Sequence, residues 1–308
     1  HGPEVLGKIG GFGGLFKPNF KGMKEPVLVS SVDGVGTKLK LAFAMDKHDT
    51  VGADLVNHCV NDIAVVGARP LFFLDYIGAE RLEPNVFEQL IKGFTKACKE
   101  AGCALIGGET AQMPGMYQRG EYDLAGTIVG VVDRKKMIDG SKIKVGDVII
   151  GLASNGLHTN GYSLARKVLF DQMGLELKDK PAGLSKSVGE ELLKVHKNYE
   201  PLLASLPAGV IKGLAHITGG GLVDNLPRVL PQTCDAAIFT GSWKTPALFQ
   251  LIQQGGNVDR EEMYQVFNMG IGMTIVVAEK DAAETLKQTK GTMIGRIEKG
   301  SGVVKLQF

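Results

Sequence analysis

The sequence lacks a charge imbalance and a long apolar run, and each absence excludes a class of protein. Its 35 Lys and Arg residues nearly balance its 33 Asp and Glu residues, for a formal net charge of +2. Because a polyphosphate backbone is normally met by a strongly basic surface, this balance argues against nucleic-acid binding. No apolar run approaches the roughly 20 residues needed to cross a bilayer, and no secretory signal is visible. We therefore expect no nucleic-acid partner, no membrane and a cytoplasmic location.

Paired-cysteine spacing and a dinucleotide fingerprint are also missing. The four cysteines have no C-x-x-C spacing and lie among apolar neighbours, at Cys59, Cys98, Cys103 and Cys234. We interpret them as buried free thiols in a reducing cytoplasm rather than as a metal site or disulfides. No strand is followed by G-x-G-x-x-G, so a Rossmann dinucleotide site is unsupported.

Glycine, by contrast, is abundant at 42 residues and clusters where predicted strands meet loops. Short β-branched and apolar runs predict strands over Val27–Ser31, Leu71–Tyr76, Ala104–Gly107, Ala125–Val132, Val148–Ala153 and Met273–Ala278. Amphipathic helices lie between several of them. One begins after Pro84 and stops at Gly102, and another is predicted over Val188–Leu206, before Pro207. Strands that alternate with helices predict a mixed α/β protein.

The chain is long enough for two domains. Its 308 residues exceed what one compact core usually serves. The polar, turn-forming stretch over 133–146 separates the strands on either side of it. We therefore predict one domain over 1–138 and a second, α/β domain over 139–308.

A predicted buried strand delivers an acidic residue at its end, followed by glycines, a hydroxyl and an ammonium group. The residues are Asp33, Gly34, Val35, Gly36, Thr37 and Lys38. Asp supplies a hard oxygen ligand for Mg²⁺, glycines let backbone N–H groups approach phosphates, and Lys offsets the phosphate charge. Taken alone, the segment fits a polyphosphate site and a plain Asp-Gly turn equally well.

A second group of polar residues favours the polyphosphate site. Asp54 and Asp62 are two helical turns apart on a helix predicted over Asp49–Val66, and therefore lie on one face. Asn61 precedes Asp62 within an apolar sequence, where an acidic group is costly unless it is paired or ligated. We favour a functional role for Asp62 over a simple ion pair with Arg69 or a lysine.

A third acidic segment ends another predicted strand. Gly108 and Glu109 follow the strand that begins at Ala104. Together with Asp33 and Asp62, Glu109 would complete a three-carboxylate cradle for Mg²⁺ and a nucleotide.

The second half contains two glycine-rich loops that precede predicted helices. Their candidate substrate-binding residues are Ser154, Asn155, His158, Asn160 and Gly161 in the first loop and Thr218, Gly219, Gly220 and Gly221 in the second. Backbone N–H groups at a helix start can hold a phosphate. The loops fit a phosphorylated substrate and a purely structural role equally well. His158 could be a general base, a donor to substrate or a helix cap, and we favour the binding or structural roles.

At these residues the chain resembles the phosphoribosylformylglycinamidine cyclo-ligase family, also called aminoimidazole ribonucleotide synthetases. The matching stretches are Ile9–Phe16, Asp33–Leu39, Cys59–Asp62, Pro70–Tyr76, Gly107–Thr110 with Met113-Pro114, Tyr122–Gly126, His158–Ser163, Ile217–Gly221 and Phe267–Met273. The wider superfamily includes selenophosphate synthetase, thiamine-monophosphate kinase and a hydrogenase-maturation protein. Those relatives share the acidic nucleotide site but not Gly-Gly-Glu-Thr-Ala-x-Met-Pro and Thr-Gly-Gly-Gly together.

The resemblance implies two domains of mixed sheets with flanking helices. The first would bind ATP and pair its sheet with a second copy in a homodimer, and the second would bind substrate. The implied reaction converts formylglycinamidine ribonucleotide and ATP to aminoimidazole ribonucleotide, ADP and phosphate in purine biosynthesis. ATP would phosphorylate the amide oxygen, and the neighbouring amine would then close the ring.

The resemblance also implies roles for individual residues. The ATP contacts would be Asp33, Gly34, Gly36, Thr37, Lys38, Asp54, Asn61, Gly108 and Glu109, with Mg²⁺ on Asp33, Asp62 and Glu109. Lys38, Asp62 and His158 are the candidate catalytic residues. Family members usually carry a further amino-terminal segment, and Val195-His196 replaces a usual Pro-Thr pair here. Two rival hypotheses are another ATP-dependent kinase of the superfamily and a non-catalytic nucleotide-binding module.

Overall fold

The computed structural model describes residues 2–7 and 11–308, so the start of the Ile9–Phe16 stretch lies outside the described residues. The strands are β1 Pro26–Gly34, β2 Arg69–Ala79, β3 Ala104–Gln112, β4 Tyr122–Asp133, β5 Val148–Ala153, β6 Ile211–His216, β7 Cys234–Phe239, β8 Ile271–Val277, β9 Thr292–Lys299 and β10 Val304–Gln307. The helices are α1 Leu39–Ala44, α2 Asp49–Ala64, α3 Pro84–Glu100, α4 Tyr162–Arg166, α5 Val188–Leu192, α6 Glu200–Ala204, α7 Gly221–Asn225, α8 Ala247–Gly256, α9 Arg260–Val266 and α10 Glu279–Thr289.

Two compact units divide the chain. The first contains the residues up to Met137 together with Val195–Pro201, and the second contains Ile138–Lys194 and Leu202–Phe308. None of the helices in the described part of the chain combines the length and apolar character that a membrane crossing requires.

The sheet of the first unit has the strand order β1-β4-β2-β3. β4 runs antiparallel to both β1 and β2, and β2 pairs in parallel with β3. Because side chains alternate along a strand, Phe73, Asp75 and Ile77 share one face of β2. We call this the inner face, because Phe73 and Ile77 pack with buried residues of α2 and α3 in one core cluster.

The opposite, outer face of this sheet is open. On β1 it carries Leu28 and Val32, whose side chains are 62% and 68% exposed. On β2 it carries the half-buried Leu74 and Tyr76. The described residues therefore present an apolar sheet face to solvent in the isolated chain.

Two glycines allow α2 and α3 to pack at close range above the inner face. A Cβ at Gly93 would lie 2.3 Å from the carbonyl oxygen of Asp49, and one at Gly52 would lie 2.6 Å from the carbonyl oxygen of Leu90. Only glycine fits at such backbone contacts.

The second unit is built on a sheet with the order β10-β7-β9-β5-β8-β6. β10 pairs with β7 in parallel, and the other pairs are antiparallel. Every residue of β8 is buried. This sheet brings the glycine-rich loops after β5 and β6 to the same edge, because both strands pair antiparallel with β8.

The predicted mixed α/β fold is confirmed, and so is the strand at Val148–Ala153. The helix after Pro84 ends at Glu100, before Gly102, as predicted. The single helix predicted over Val188–Leu206 is wrong, because α5 and α6 are separate short helices. Side chains of α2 form hydrogen bonds with the backbone between α5 and α6. Those backbone groups therefore do not form helical hydrogen bonds.

Candidate functional site

The turn after β1 aims its acidic residue at α2. Asp33 pairs with Gly126 across β1 and β4, in the same row as Asp75 on β2, so its side chain lies on the inner face. Its Oδ1 accepts a hydrogen bond of 2.7 Å from the Gly34 N–H. Its Oδ2 lies 2.9 Å from Nε2 of His58, and the side chain remains 44% exposed. Gly36 and Thr37 follow as exposed turn residues.

Asp62 lies beside the same histidine. Its Oδ2 accepts a 3.0 Å hydrogen bond from Oγ of Ser31 and lies 3.7 Å from Nε2 of His58. The Asp62 side chain is 24% exposed, so Asp33 and Asp62 both reach solvent beside the same nitrogen of a buried imidazole. Burial lowers the pKa of His58, but the hydrogen bond to Asp33 and the charge of Asp62 outweigh burial and raise it overall. The imidazole is therefore a potential cation whose Nε2 faces both carboxylates.

Lys38 and Asp54 form an ion pair that is fully buried. Lys38 Nζ lies 2.8 Å from both Asp54 oxygens, and both side chains are 0% exposed. Burial raises the pKa of Asp54 and lowers that of Lys38, while each charge stabilises the other. A direct contact between Lys38 and a phosphate, predicted from the sequence, would require this pair to open.

The face of α2 that carries Asp54 also binds the segment Val195–Pro201. Asp54 Oδ1 accepts from the His196 N–H at 2.7 Å, and Asn57 Nδ2 donates to the His196 carbonyl at 2.7 Å. Asn61 Nδ2 donates to the Lys197 carbonyl at 2.8 Å, and its Oδ1 accepts from the Tyr199 N–H at 2.9 Å. Asn61 is 0% exposed. It therefore braces this segment, a role that the sequence did not indicate.

Asp75 is a buried acid that sequence reasoning missed. Only 9% of it is exposed, and burial raises its pKa to about 6. A Cβ at Gly108 would lie 2.4 Å from Asp75 Oδ1, so Gly108 is required by the neighbouring carboxylate. The available signal was an acidic residue inside the apolar run of a central strand.

The register of the sheet separates the three carboxylates that we predicted to form one cradle. Glu109 pairs with Tyr76, and Tyr76 pairs with Ala125, so Glu109 belongs to the outer face. Asp33 lies one row away on the inner face, where α2 carries Asp62. Because neighbouring positions of a strand point to opposite faces, one chain does not bring Glu109 to the other two carboxylates.

In the second unit, the loop after β5 is tied down by a residue that the sequence analysis did not single out. Asn268 Oδ1 accepts from Ser154 Oγ and from the Gly270 N–H, both at 2.9 Å. Its Nδ2 donates to the Gly156 carbonyl at 2.9 Å. Asn155 is exposed beside this anchor.

The two glycine-rich loops lie side by side in the second unit. A Cβ at Gly219 would lie 3.2 Å from Oδ1 of Asn160. Gly161 and Gly220, both with positive φ, immediately precede α4 and α7. A Cβ at Gly221 would lie 1.9 Å from the Tyr264 carbonyl oxygen, so no other residue fits there.

Asn225 fastens the second of these loops from within α7. Its Nδ2 donates to the carbonyls of Gly219 and Gly221 at 3.0 and 2.8 Å. Its Oδ1 accepts from Oγ1 of Thr218 at 3.2 Å. The loop conformation is therefore fixed by an amide side chain.

His158 is 1% exposed and has a φ of 65°, a left-handed conformation that is uncommon outside glycine. The Tyr162 hydroxyl, which has a single proton, lies 3.0 Å from the His158 carbonyl oxygen and 2.6 Å from the Leu192 carbonyl oxygen. The loop backbone is thus anchored at His158.

Comparisons with known proteins identify the family. Models described as AIR synthase related protein, N-terminal domain and C-terminal domain, match residues 21–132 and 144–306. The chain belongs to the AIR synthase related family. Among its relatives, a phosphoribosylformylglycinamidine cyclo-ligase of Syntrophotalea carbinolica is 56% identical over 97% of this chain and 87% of the relative. Its counterpart in Bacillus cereus is 53% identical over 97% of this chain and 88% of the relative.

Solved structures of other proteins share the fold. Thiamine-monophosphate kinase of Stenotrophomonas maltophilia aligns with a TM-score of 0.70 at 18% identity, over 99% of this chain and 92% of that one. The hydrogenase maturation protein HypE in complex with ATP aligns with a TM-score of 0.66 at 18% identity, over 91% and 81% of the two chains. At these identities the likeness shows the fold alone.

Proposed function

We propose that this chain is an ATP-dependent cyclo-ligase that converts formylglycinamidine ribonucleotide to aminoimidazole ribonucleotide, ADP and phosphate in purine biosynthesis. The observation that carries the proposal is the 56% identity to a relative of that name across 97% of the chain. The proposed location is the cytoplasm, and the proposed roles are ATP binding for 1–138 and substrate binding for 139–308.

The reaction has two chemical steps, activation of the amide and closure of the ring. The substrate's amide oxygen is a poor leaving group, so it takes the γ-phosphoryl group of ATP, and ADP departs. The neighbouring amine nitrogen then attacks the activated carbon, the carbon–oxygen bond breaks, and phosphate leaves as the ring closes. Holding the amine against that carbon can supply several kcal/mol of the barrier.

Asp33 and Asp62 are the groups we propose to hold Mg²⁺. Both are carboxylates, the hard oxygen ligands that Mg²⁺ prefers. They are 44% and 24% exposed, and each places an oxygen within 3.7 Å of the same atom, Nε2 of His58. Bound Mg²⁺ would neutralise charge on the phosphates of ATP. His58 lies against both carboxylates, and the exposed residues Gly36 and Thr37 offer backbone to phosphate.

Asp54 lies one helical turn before His58 on α2 and forms a buried pair with Lys38. Their charges are matched within a fully buried pair, and Asp54 also holds the His196 N–H. The pair thereby links the residue before α1, the helix α2 and the segment Val195–Pro201. A catalytic contact of Lys38 with the transferring phosphoryl group remains part of the proposal.

We propose that the glycine-rich loops of the second unit hold the substrate's phosphate. Ser154, Asn155 and Asn160 supply polar side chains, and Thr218, Gly219 and Gly220 supply backbone N–H groups. The Gly221 N–H donates to the Thr218 carbonyl at 3.1 Å. His158 is proposed to bind or position substrate from the first of these loops.

We also propose a homodimer that pairs the outer faces of two sheets. The exposed Leu28 and Val32 support it, because large apolar patches on soluble proteins usually mark an interface. The predicted contact of Glu109 with ATP or Mg²⁺ would then lie at the paired outer faces of the two sheets.

The test is ADP release by the purified chain with formylglycinamidine ribonucleotide, compared with thiamine phosphate. We expect turnover with the first compound only, and loss of at least about a hundredfold in kcat for Asp62→Asn with unchanged circular dichroism. Turnover with thiamine phosphate alone would favour a kinase of the same fold. Absence of turnover with both, despite ATP binding, would indicate a non-catalytic module.

A further inference from the structure

Two thiols meet at the carboxyl end of α3. Gly102 has a φ of 67°, its N–H donates to the Lys99 carbonyl at 3.2 Å, and the Cys103 N–H donates to the Cys98 carbonyl at 2.9 Å. These two bonds define a Schellman motif, which brings the side chains at its first and last positions into contact. Those positions usually hold apolar residues, but here both are cysteines.

The pair faces a cavity in the first unit. The cavity has a volume of about 680 Å³, and its lining includes both cysteines together with Arg69, Lys99 and Glu4. Cys103 is half-buried, whereas Cys98 is buried. A small molecule that enters the cavity therefore meets Cys103 first, in surroundings with two cations and one carboxylate.

We propose that Cys98 and Cys103 form a thiol–disulfide exchange site that takes small anionic disulfides, of which glutathione disulfide is the model, into this cavity. The Cys103 thiolate attacks one sulfur of the small disulfide, a mixed disulfide forms, and one small thiolate leaves. Cys98 then loses its proton to water and attacks the Cys103 sulfur, and the second small thiolate leaves. The two cysteines are oxidised to one disulfide, and the small disulfide is reduced to two thiols.

The order of the two steps follows from the environment of each thiol. The hydrogen bond with Cys103 and burial raise the pKa of the Cys98 thiol well above its usual range. A protonated thiol is a poor nucleophile, so Cys98 does not react first. Once Cys103 is part of the mixed disulfide, it no longer has a thiol that shares a hydrogen bond with Cys98. The Cys98 thiol is then easier to ionise, and it lies next to the Cys103 sulfur that it attacks.

The test uses the full chain and glutathione disulfide, read by mass spectrometry after tryptic digestion without reductant. Cleavage after Lys99 separates the two cysteines, so the disulfide links peptide Ala97–Lys99 to peptide Glu100–Arg119. We expect this linked pair in the wild type. Cys98→Ser should instead accumulate a glutathionyl group on Cys103, and Cys103→Ser should leave Cys98 unmodified. Cys234, buried in the second unit, is the internal control and should stay reduced.

Two results would overturn the proposal: a wild type that gives only a stable mixed disulfide or no reaction, and a Cys103→Ser variant whose Cys98 reacts at the wild-type rate. The charge of the ligand has its own test. At low salt, glutathione disulfide should react at least about threefold faster than the neutral hydroxyethyl disulfide, and the advantage should vanish at high salt. Equal rates at low salt would remove the anionic class from the proposal.

Discussion

At the scale of single residues, burial separates the charged groups that can take up a ligand from those that support them. Asp33 and Asp62 keep part of their carboxylate surface in solvent, whereas Lys38 and Asp54 are fully enclosed. A buried charge without its partner is strongly unfavourable, commonly by about 3–5 kcal/mol. Lys38 and Asp54 therefore stabilise each other inside the fold. A substitution of either residue that changes activity will also change the stability of the folded chain.

Asp75 gives a prediction for the pH dependence of stability. Its folded pKa is raised to about 6, so the folded chain binds this proton more tightly than the unfolded chain does. The contribution of Asp75 is therefore most favourable below its unfolded pKa and is lost as pH rises through about 6. We expect Asp75→Asn to be more stable than the wild type by about 1–2 kcal/mol at about pH 8, and by much less at about pH 4.

Urea unfolding at both pH values measures this difference. Asp123→Asn is the matched control, because Asp123 is an exposed acid of the neighbouring strand β4 and should change stability little. A variant at Asp75 that is less stable than the wild type at about pH 8 would mean that the ionised carboxylate has a stabilising partner.

At the scale of elements, the sequence predicted what local signals determine. Pro84 and Gly102 bound α3 because their backbone preferences act on neighbouring residues, and the β-branched run before Gly151 predicted β5. The helix predicted over Val188–Leu206 failed because Asp54, Asn57 and Asn61, far away in sequence, bind the backbone of 196–199. Such tertiary competition leaves no periodic signal in the segment itself.

The sequence indicated which acidic residues to consider, but not the face of the sheet on which each one lies. The end of β1 and the acidic face of α2 lie together, with Asp33 and Asp62 both beside His58. The position of Glu109 depends on the register between β2 and β3, which contains an irregularity between Phe73 and Leu74. A shift of one residue moves a side chain to the other face, so the sequence could not place Glu109.

The contact between α2 and α3 gives a prediction for packing. We expect Gly93→Ala to lower the free energy of unfolding by about 2 kcal/mol, because its methyl group would meet the Asp49 carbonyl at 2.3 Å. The steric clash outweighs the gain of about 1 kcal/mol in helix propensity that alanine brings over glycine. Urea unfolding checks the change, with Gly241→Ala as control, since a Cβ there meets nothing within 4 Å. An unchanged or stabilised Gly93→Ala would show that the two helices separate easily.

At the scale of the whole molecule, the two sides of the first sheet differ in what covers them. The inner face packs with α2 and α3 in the core cluster, while Leu28 and Val32 on the outer face stay more than half exposed. β1 is also an edge strand of that sheet. Exposed apolar side chains on an open sheet face favour association with another surface.

This outer face gives a prediction for the oligomeric state. A second copy would bury Val32, and a carboxylate there would have to lose its water without a partner, at a cost of several kcal/mol. We therefore expect the wild type to sediment as a dimer and Val32→Glu to dissociate at protein concentrations at least tenfold higher, on the order of 1.4 kcal/mol or more. Sedimentation equilibrium over a concentration series measures both constants. Val145→Glu is the matched control, because Val145 is 57% exposed in the second unit and should leave the dimer intact. If Val32→Glu stays as dimeric as the wild type while Val145→Glu dissociates, the association surface lies in the second unit, and the apolar outer face needs another explanation.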